Sequence, residues 1–237
     1  MLMKPTPLIH IVPASDSSIL VSFAEGVSIE NSHRVHHLFR ELRRLQDQHL
    51  RNLHPAYSSL LIDFDPLQMN HAQVSQLVAS IFQNADTCRD SVGQKVNIPV
   101  CYEDEFAPDL IAVAETTGLH TDDVVRLHST ADYVVAFLGF SPGFGYLSGL
   151  PERLNVPRRA TPRKVVAAGS VGIAGRQTGV YPLQSPGGWQ IIGRTPARIF
   201  HPDRNPPTML QPGDTVRFVP ISPAEFANLS QSEDPNW

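Results

Sequence analysis

The chain has little cysteine, no long apolar run and no surplus of positive charge, and each shortage excludes something. Its two cysteines, Cys88 and Cys101, have the spacing of neither a metal site nor a redox pair. A single disulfide and two free thiols both fit that count, and two free thiols in a reducing cytosol is the expectation carried forward. No stretch reaches the roughly 18 to 20 apolar residues of a membrane span. The opening Met1-Leu-Met-Lys-Pro-Thr-Pro7 has no signal-peptide core, because Pro5 and Pro7 interrupt it. A cytoplasmic protein without a membrane partner is therefore expected. The net charge of -4 argues against a general nucleic-acid binder, which works by neutralising phosphates.

What is plentiful is punctuation. Proline occurs 21 times and glycine 15 times, which predicts many turns and short strands. A hydrophobic content of 41% with 18% charged residues is that of a globular chain, and 237 residues suffice for one large domain or two modest ones.

Residues 1–90 read as a small α+β domain. Leu8 to Val12 and Ile19 to Phe23 are strand-like, separated by turn chemistry at Pro13-Ala-Ser-Asp-Ser17. Val35, Leu38, Phe39, Leu42 and Leu45 fall on one face of a helix, with Arg40, Glu41, Arg43 and Arg44 on the other. Tyr57 to Phe64 is strand-like. Asn70 with Gln73 has the pattern of a capping box before a second helix, whose apolar face is Val74, Leu77, Val78, Ile81 and Phe82. Two helices interleaved with strands predict a ferredoxin-like sandwich, helices on one face of a sheet. His33 and His37 stand one turn apart, as metal pairs can, but on the face opposite Val35, Leu38 and Leu42 and with no third ligand nearby, so a solvated face is expected.

Periodicity stops over Asp86 to Gln94, which marks a boundary. Residues 91–221 are expected to form a mainly β barrel: Lys95 to Tyr102 is strand-like, Asp109 to Glu115 and Thr121 to His128 are short helices, and short strands follow from Tyr133. Gly118 is expected to end the first helix and Thr121 to cap the second. Residues 222–237 read as a polar tail.

The unusual chemistry lies between Tyr133 and Pro202. Eleven of the 15 glycines fall between Gly139 and Gly193. Over Tyr133 to Pro202 there are eight basic residues (Arg153, Arg158, Arg159, Arg163, Lys164, Arg176, Arg194, Arg198) and one acid, Glu152. Two readings compete. In one, a tight barrel pairs its arginines with acids from the other domain. In the other, guanidinium forks and bare backbone N–H groups receive a carboxylate or phosphate.

Nucleotide signatures are missing. Gly143-Phe-Gly-Tyr-Leu-Ser-Gly149 carries no lysine for a phosphate loop, and Ser148 occupies the third glycine of a dinucleotide fingerprint. Gly139-Phe-Ser141-Pro-Gly143 fits a nucleophile elbow, but the residue after the serine is Pro142, which has no N–H for an oxyanion. Ser141 is expected to shape a turn. His54 and His128 are open as pocket residues or structural ones.

Four runs carry a family resemblance: Phe137-Leu-Gly-Phe-Ser-Pro-Gly-Phe-Gly-Tyr-Leu-Ser-Gly-Leu150, Pro157-Arg-Arg-Ala-Thr-Pro-Arg163, Ala168-Gly-Ser-Val-Gly-Ile-Ala-Gly-Arg-Gln-Thr-Gly-Val-Tyr-Pro182 and Ser185-Pro-Gly-Gly-Trp-Gln-Ile-Ile-Gly-Arg-Thr-Pro196. His54-Pro-Ala-Tyr-Ser-Ser-Leu-Leu-Ile-Asp-Phe-Asp-Pro66 and Pro99-Val-Cys-Tyr102 add to it. Together they resemble the allophanate hydrolase subunit 1 family, also called the KipI family or the family of 5-oxoprolinase B subunits (PxpB). One mild departure is Ala167-Ala168-Gly169, where the family commonly has Pro-Ala-Gly.

The resemblance implies a cyclophilin-like barrel behind a smaller α+β domain. It implies one component, inactive alone, of an ATP-dependent 5-oxoprolinase that opens 5-oxo-L-proline to L-glutamate with ATP and magnesium. Its partners would be the cyclophilin-like C subunit and the metal-hydrolase-like A subunit of the same complex. The same family holds an inhibitor of a sporulation histidine kinase and domains of urea-processing enzymes, which leaves those functions as alternatives. No metal site is expected in this chain, and no residue announces itself as nucleophile or general base. Because every species on the oxoprolinase path is anionic, Arg158, Arg163 and Arg194 are the clamp candidates. Gln177, Thr178, Tyr181 and Ser170 are candidates to hydrogen-bond substrate, and Phe140, Phe144, Tyr146 and Trp189 to wall it. Arg163→Ala is expected to leave the fold intact.

Overall fold

A computed structural model describes residues 9–23, 29–83 and 93–231. The chain divides into two compact units, Met1–Ser91 and Val92–Trp237. Cys88 lies outside the described residues, and Cys101 is a buried free thiol.

The first unit is a four-stranded antiparallel sheet in the order β1-β2-β4-β3, from β1 (Ile9–Ser15), β2 (Ser18–Phe23), β3 (Leu50–Pro55) and β4 (Ser59–Phe64). Alternation puts Ile19, Val21 and Phe23 of β2 on the same buried face as Leu60, Ile62 and Phe64 of β4. Onto that face α1 (Ile29–Leu45) lays Val35, Leu38 and Leu42, and α2 (His71–Gln83) lays Val74 and Val78, in one apolar cluster. The capping box before α2 forms as read. Asn70 N–H donates to Gln73 Oε1 at 2.9 Å, and Gln73 N–H donates to Asn70 Oδ1 at 3.0 Å.

Chain order departs from the expected ferredoxin-like sandwich. There the last strand follows the second helix; here the chain runs β1-β2-α1-β3-β4-α2, and β1 pairs with β2 at that edge. His37 departs too. It is half-buried against the Phe82 ring, with burial lowering its pKa, whereas His33 is exposed as expected. Among the described residues no three His, Cys, Asp or Glu side chains converge as a metal site.

The second unit is a seven-stranded sheet in the order β12-β9-β10-β7-β6-β13-β5. Its strands are β5 (Lys95–Val100), β6 (Tyr133–Leu138), β7 (Gly145–Ser148), β9 (Ser170–Ala174), β10 (Gln177–Val180), β12 (Gln190–Arg194) and β13 (Thr215–Pro220). The two ends of the sheet meet where Cys101 and Arg194 exchange backbone hydrogen bonds of 2.8 and 2.9 Å, so the sheet curls into a nearly closed barrel. Its interior holds Ile98, Tyr133, Val135, Leu147, Val171, Ile173, Ile192, Val216 and Phe218. Two short helices, α3 (Leu110–Thr117) and α4 (Thr121–Thr130), contribute Val113 and Val124 to that core. Gly118 ends α3 at φ 66, the left-handed cap that favours glycine. At α4 the N-cap is His120, and Thr121 is the first helical residue, contrary to expectation.

A second apolar cluster lies on the outer side of the same strands: Phe144, Val166, Ala174, Tyr181, Trp189 and Ile191. Over it runs a two-stranded ribbon of β8 (Arg163–Val166) and β11 (Ser185–Gly187). Strand β9 is buried on both faces as a result, with Val171 and Ile173 turned inward and Ala174 outward. The loose-tail reading of residues 222–237 is corrected over Pro223–Gln231, which form a helix, α5, and residues 232–237 lie outside the described residues.

Candidate functional site

The clustered glycines have a packing cause. A Cβ on Gly179 would stand 2.8 Å from the Gly145 carbonyl and 3.2 Å from the Phe144 ring. One on Gly187 would stand 2.5 Å from the Tyr181 hydroxyl, and one on Gly172 3.1 Å from Trp189. Glycine thus makes room for aromatic rings on the barrel's outer face. Phe144, Trp189 and Tyr181 stack edge to face there, with Phe144 5.2 Å from Tyr181 and 5.4 Å from Trp189. Of the four expected wall residues, Phe144 and Trp189 are buried, Tyr146 is half-buried, and Phe140 is 62% exposed. Phe140 sits at φ 66 in the turn before β7, its ring 6.2 Å from Tyr181. In the same turn the Ser141 carbonyl accepts the Phe144 N–H at 3.0 Å.

Beside this aromatic floor lies the site's strongest charge feature, organised by Asp109. The residue occupies the N-cap position of α3, yet its side chain makes no capping bond. The carboxylate, 3% exposed, turns instead to the basic run. Arg163 grips it with two parallel bonds, Nη1 to Oδ2 and Nη2 to Oδ1, both 2.7 Å. Arg159 Nη1 donates to Oδ1 at 2.7 Å, and the Ile191 backbone N–H donates to Oδ2 at 2.7 Å. Four donors fill the carboxylate's acceptor sites. The bonds to Asp109 raise the pKa of Arg163.

Tyr181 joins the group from β10's end. The Trp189 backbone N–H bonds its hydroxyl, and Arg158 and Arg163 lie close enough for their charges to act on it. Burial outweighs both and raises its pKa, so the phenol stays protonated and keeps an O–H to donate.

The other expected site residues are spread over the unit, and of them Ser170 neighbours Tyr181, whose backbone N–H donates to the Ser170 carbonyl at 2.9 Å. Arg194 Nε donates to the Ala168 carbonyl at 2.9 Å, beyond the far end of β8 from Arg163. Ser170 is buried at the start of β9, and Gln177 is half-buried at the start of β10. Thr178 is fully buried inside the barrel, where its hydroxyl donates to the Gly172 carbonyl at 3.0 Å and meets His128 Nε2 at 2.9 Å. His128 Nδ1 lies 2.8 Å from the Tyr102 hydroxyl. Since the Thr178 proton goes to Gly172, Nε2 carries the imidazole hydrogen and Nδ1 accepts from Tyr102. Burial drives the His128 pKa down to about 3, so this ring is a neutral core strut. His54 is a surface residue 3.0 Å from Asp63.

The eight basic residues therefore follow neither competing reading as a whole. Arg159 and Arg163 pair with an acid of their own unit, Arg194 and Arg198 bond backbone carbonyls, and Arg153, Arg158, Lys164 and Arg176 are exposed. Sequence reading missed Asp109, because an aspartate before a helix reads as an ordinary cap.

Comparison with known proteins assigns the family. A family model described as "Carboxyltransferase domain, subdomain C and D" matches residues 9–210. The 5-oxoprolinase B subunit of Bacillus subtilis (strain 168) is 39% identical over 222 residues, covering 89% of this chain and 92% of that one. The protein of the same name from Haemophilus influenzae is 41% identical over 216 residues, covering 89% and 97%. Among solved structures, TTHA0988 matches with a TM-score of 0.77 at 36% identity over 86% of this chain, which spans 40% of that longer one. The resemblance read from the four glycine- and arginine-rich runs holds. Matched from residue 9 to residue 210, the chain belongs to the family of the carboxyltransferase domain, subdomains C and D, together with the 5-oxoprolinase B subunits.

Proposed function

We infer that this chain is the B-type component of an ATP-dependent 5-oxoprolinase, acting with a cyclophilin-like C subunit and a metal-hydrolase-like A subunit. The observation that carries the reading is the nearly end-to-end match to two proteins of that name, covering 92% and 97% of their lengths. The arrangement around Asp109 supports it. 5-Oxoproline carries a carboxylate beside an unreactive lactam; ATP phosphorylates the lactam oxygen and leaves as ADP, water attacks the same carbon, and breaking the ring C–N bond with departure of phosphate leaves glutamate with its amine free.

In this reading Arg163 and the Tyr181 O–H hold the substrate carboxylate, the exposed Arg158 attracts it from the rim, and Phe140 over Phe144 covers the ring face. The chain supplies binding and orientation, and its partners supply the reacting groups, ATP and magnesium. Guanidiniums and a protonated phenol are donors, not bases, which fits that division.

Mixing the purified chain with both companion proteins, ATP, magnesium and 5-oxo-L-proline tests this. Release of glutamate that stops when this chain is left out is the expected result. No glutamate from the complete mixture overturns the assignment.

A further inference from the structure

The Asp109 cluster is unbalanced in donors and in charge. Asp109 accepts four hydrogen bonds and has no acceptor site left. Only three of the N–H groups of Arg159 and Arg163 are used on it, and the buried Arg159 Nε–H has no partner among the described residues. Two guanidiniums face one carboxylate, so one positive charge is left over in a half-buried place, with side-chain exposures of 35% and 25% for Arg159 and Arg163. An unpartnered buried donor beside an uncompensated charge is costly unless a ligand completes it.

We propose that Arg159 and Arg163, fixed in place by Asp109, form a receptor for a single carboxylate and discriminate against polyphosphates, with Asp109 as the positioning residue. This rests on the oxoprolinase reading for the identity of the small cyclic acid, and it adds which charge the site accepts and why. Asp109 holds both guanidinium planes through bonds of 2.7 Å, so neither fork has to be ordered when the anion arrives. The same carboxylate limits the surplus to one charge and stands directly behind the bound anion. A monoanion neutralises the site, whereas each further negative charge meets Asp109 at short range in a place water screens poorly. Arg158, exposed beside Tyr181, adds attraction at the rim but no fixed geometry. Nucleotide phosphates accordingly bind elsewhere in the complex.

Calorimetric titration of the full chain with three probes tests the proposal: 5-oxo-L-proline, its neutral carboxamide, and tripolyphosphate. The native chain should bind the acid about 10-fold or more tighter than either other probe, which is the loss of one charge-assisted contact or more. Asp109→Asn keeps an oxygen for the Ile191 N–H but drops the charge. It should weaken the acid about 10-fold and strengthen tripolyphosphate about 10-fold, reversing the preference, which a merely loosened fold cannot do. Arg159→Gln should weaken the acid by a similar factor without any gain for tripolyphosphate, and it serves if the Asp109 variant does not fold. Equal binding of acid and carboxamide, tripolyphosphate bound as tightly as the acid by the native chain, unchanged preference in both variants, or no binding at all each overturns the proposal. Glutamate release by the three-component mixture is scored separately. Turnover without the charge preference sinks this inference alone, and the charge preference without turnover sinks the oxoprolinase reading alone.

Discussion

Asp109 and Arg163 meet in a bidentate pair, two parallel bonds of 2.7 Å between residues 54 positions apart. The pair joins the start of α3 to the start of β8, and the Ile191 N–H bonding the same carboxylate ties in β12. One side chain thereby connects a helix, the barrel wall and the ribbon lying over the aromatic cluster. The guanidinium is held before any ligand arrives, and its hold is part of what keeps these elements together.

This double duty changes what truncation should do. Asp109→Ala strands Arg159 and Arg163 without their acceptor and leaves the Ile191 N–H unpaired inside the unit. The expected cost is about 3 kcal/mol, the range for breaking a buried, hydrogen-bonded ion pair. Arg163→Ala leaves Asp109 with Arg159 and the Ile191 N–H, so it should cost less, about 1 to 2 kcal/mol. A loss of that size leaves the fold intact, as expected from sequence, but makes it measurably less stable. Arg158, exposed, should change stability by about 0.5 kcal/mol or less when truncated. Urea unfolding of the three variants gives the order Asp109, Arg163, Arg158, and a flat series speaks against the pair as a strut.

His128 makes stability depend on pH in a definite direction. Its pKa is lowered from 6.5 to about 3 by burial in the folded chain, where its ring stacks 4.5 Å from Phe218. Between those values the unfolded chain binds a proton that the folded chain does not. The contribution is fully present above pH 6.5 and is lost as pH falls toward about 3. The slope from one such group is about 1.4 kcal/mol per pH unit. The advantage of the native chain over His128→Gln should therefore shrink by about that amount per unit between pH 6 and 4, measured by urea unfolding. Parallel stability curves for the two proteins would show that His128 is not held neutral.

The parts of this fold that were legible follow local rules. The α1 face of Val35, Leu38 and Leu42 and the reciprocal Asn70–Gln73 box are set by residues three or four apart, so one stretch of sequence contains the whole cause. Strand β3 was not legible, because Leu50-Arg-Asn-Leu-His-Pro55 lies at a sheet edge and shows water more polar residues than strand patterns allow. At the candidate site the charge and glycine enrichment were visible, but the partners were not. Asp109 is 50 residues from Arg159 and looks like a cap. Thr178 sits in the most distinctive motif of the chain, yet strand alternation aims it into the barrel with Val180 and aims Gly179 outward under Phe144. Four residues reading Gln-Thr-Gly-Val carry no polarity pattern from which that parity can be read.

Glycine substitutions separate the two reasons for glycine in this chain. Gly179→Ala drives a methyl group into the Gly145 carbonyl at 2.8 Å and the Phe144 ring at 3.2 Å, and neither can swing away. Overpacking of this kind should cost about 2 to 3 kcal/mol and loosen the aromatic cluster. Gly118→Ala meets nothing within 4 Å but keeps φ near 66, so it should cost about 1 kcal/mol of backbone strain alone. Tryptophan fluorescence from Trp189 should shift only in the Gly179 variant. A fluorescence change of equal size in both would mean that the rings do not rest on Gly179.

Helix α5 is capped by a box that the sequence spells out as Ser222-Pro-Ala-Glu225. The Ser222 N–H and hydroxyl both donate to Glu225 Oε2 at 2.8 Å, and the Glu225 N–H donates back to Ser222 Oγ at 3.3 Å. No residue of the helix is fully buried, and its ring contact is Phe226 on Phe106 at 4.4 Å. With so little burial the cap carries a large share of the helix's stability. Ser222→Ala removes one of two reciprocal acceptors and should cost about 1 kcal/mol locally, which is roughly a fivefold loss of amide protection. Hydrogen exchange should show that loss across Phe226 to Gln231, while the amides of β13 next to it, built into the barrel between β5 and β6, keep their protection. If β13 loses protection in step with α5, the helix is an integral part of the barrel's cooperative unit and not a separately fraying appendage.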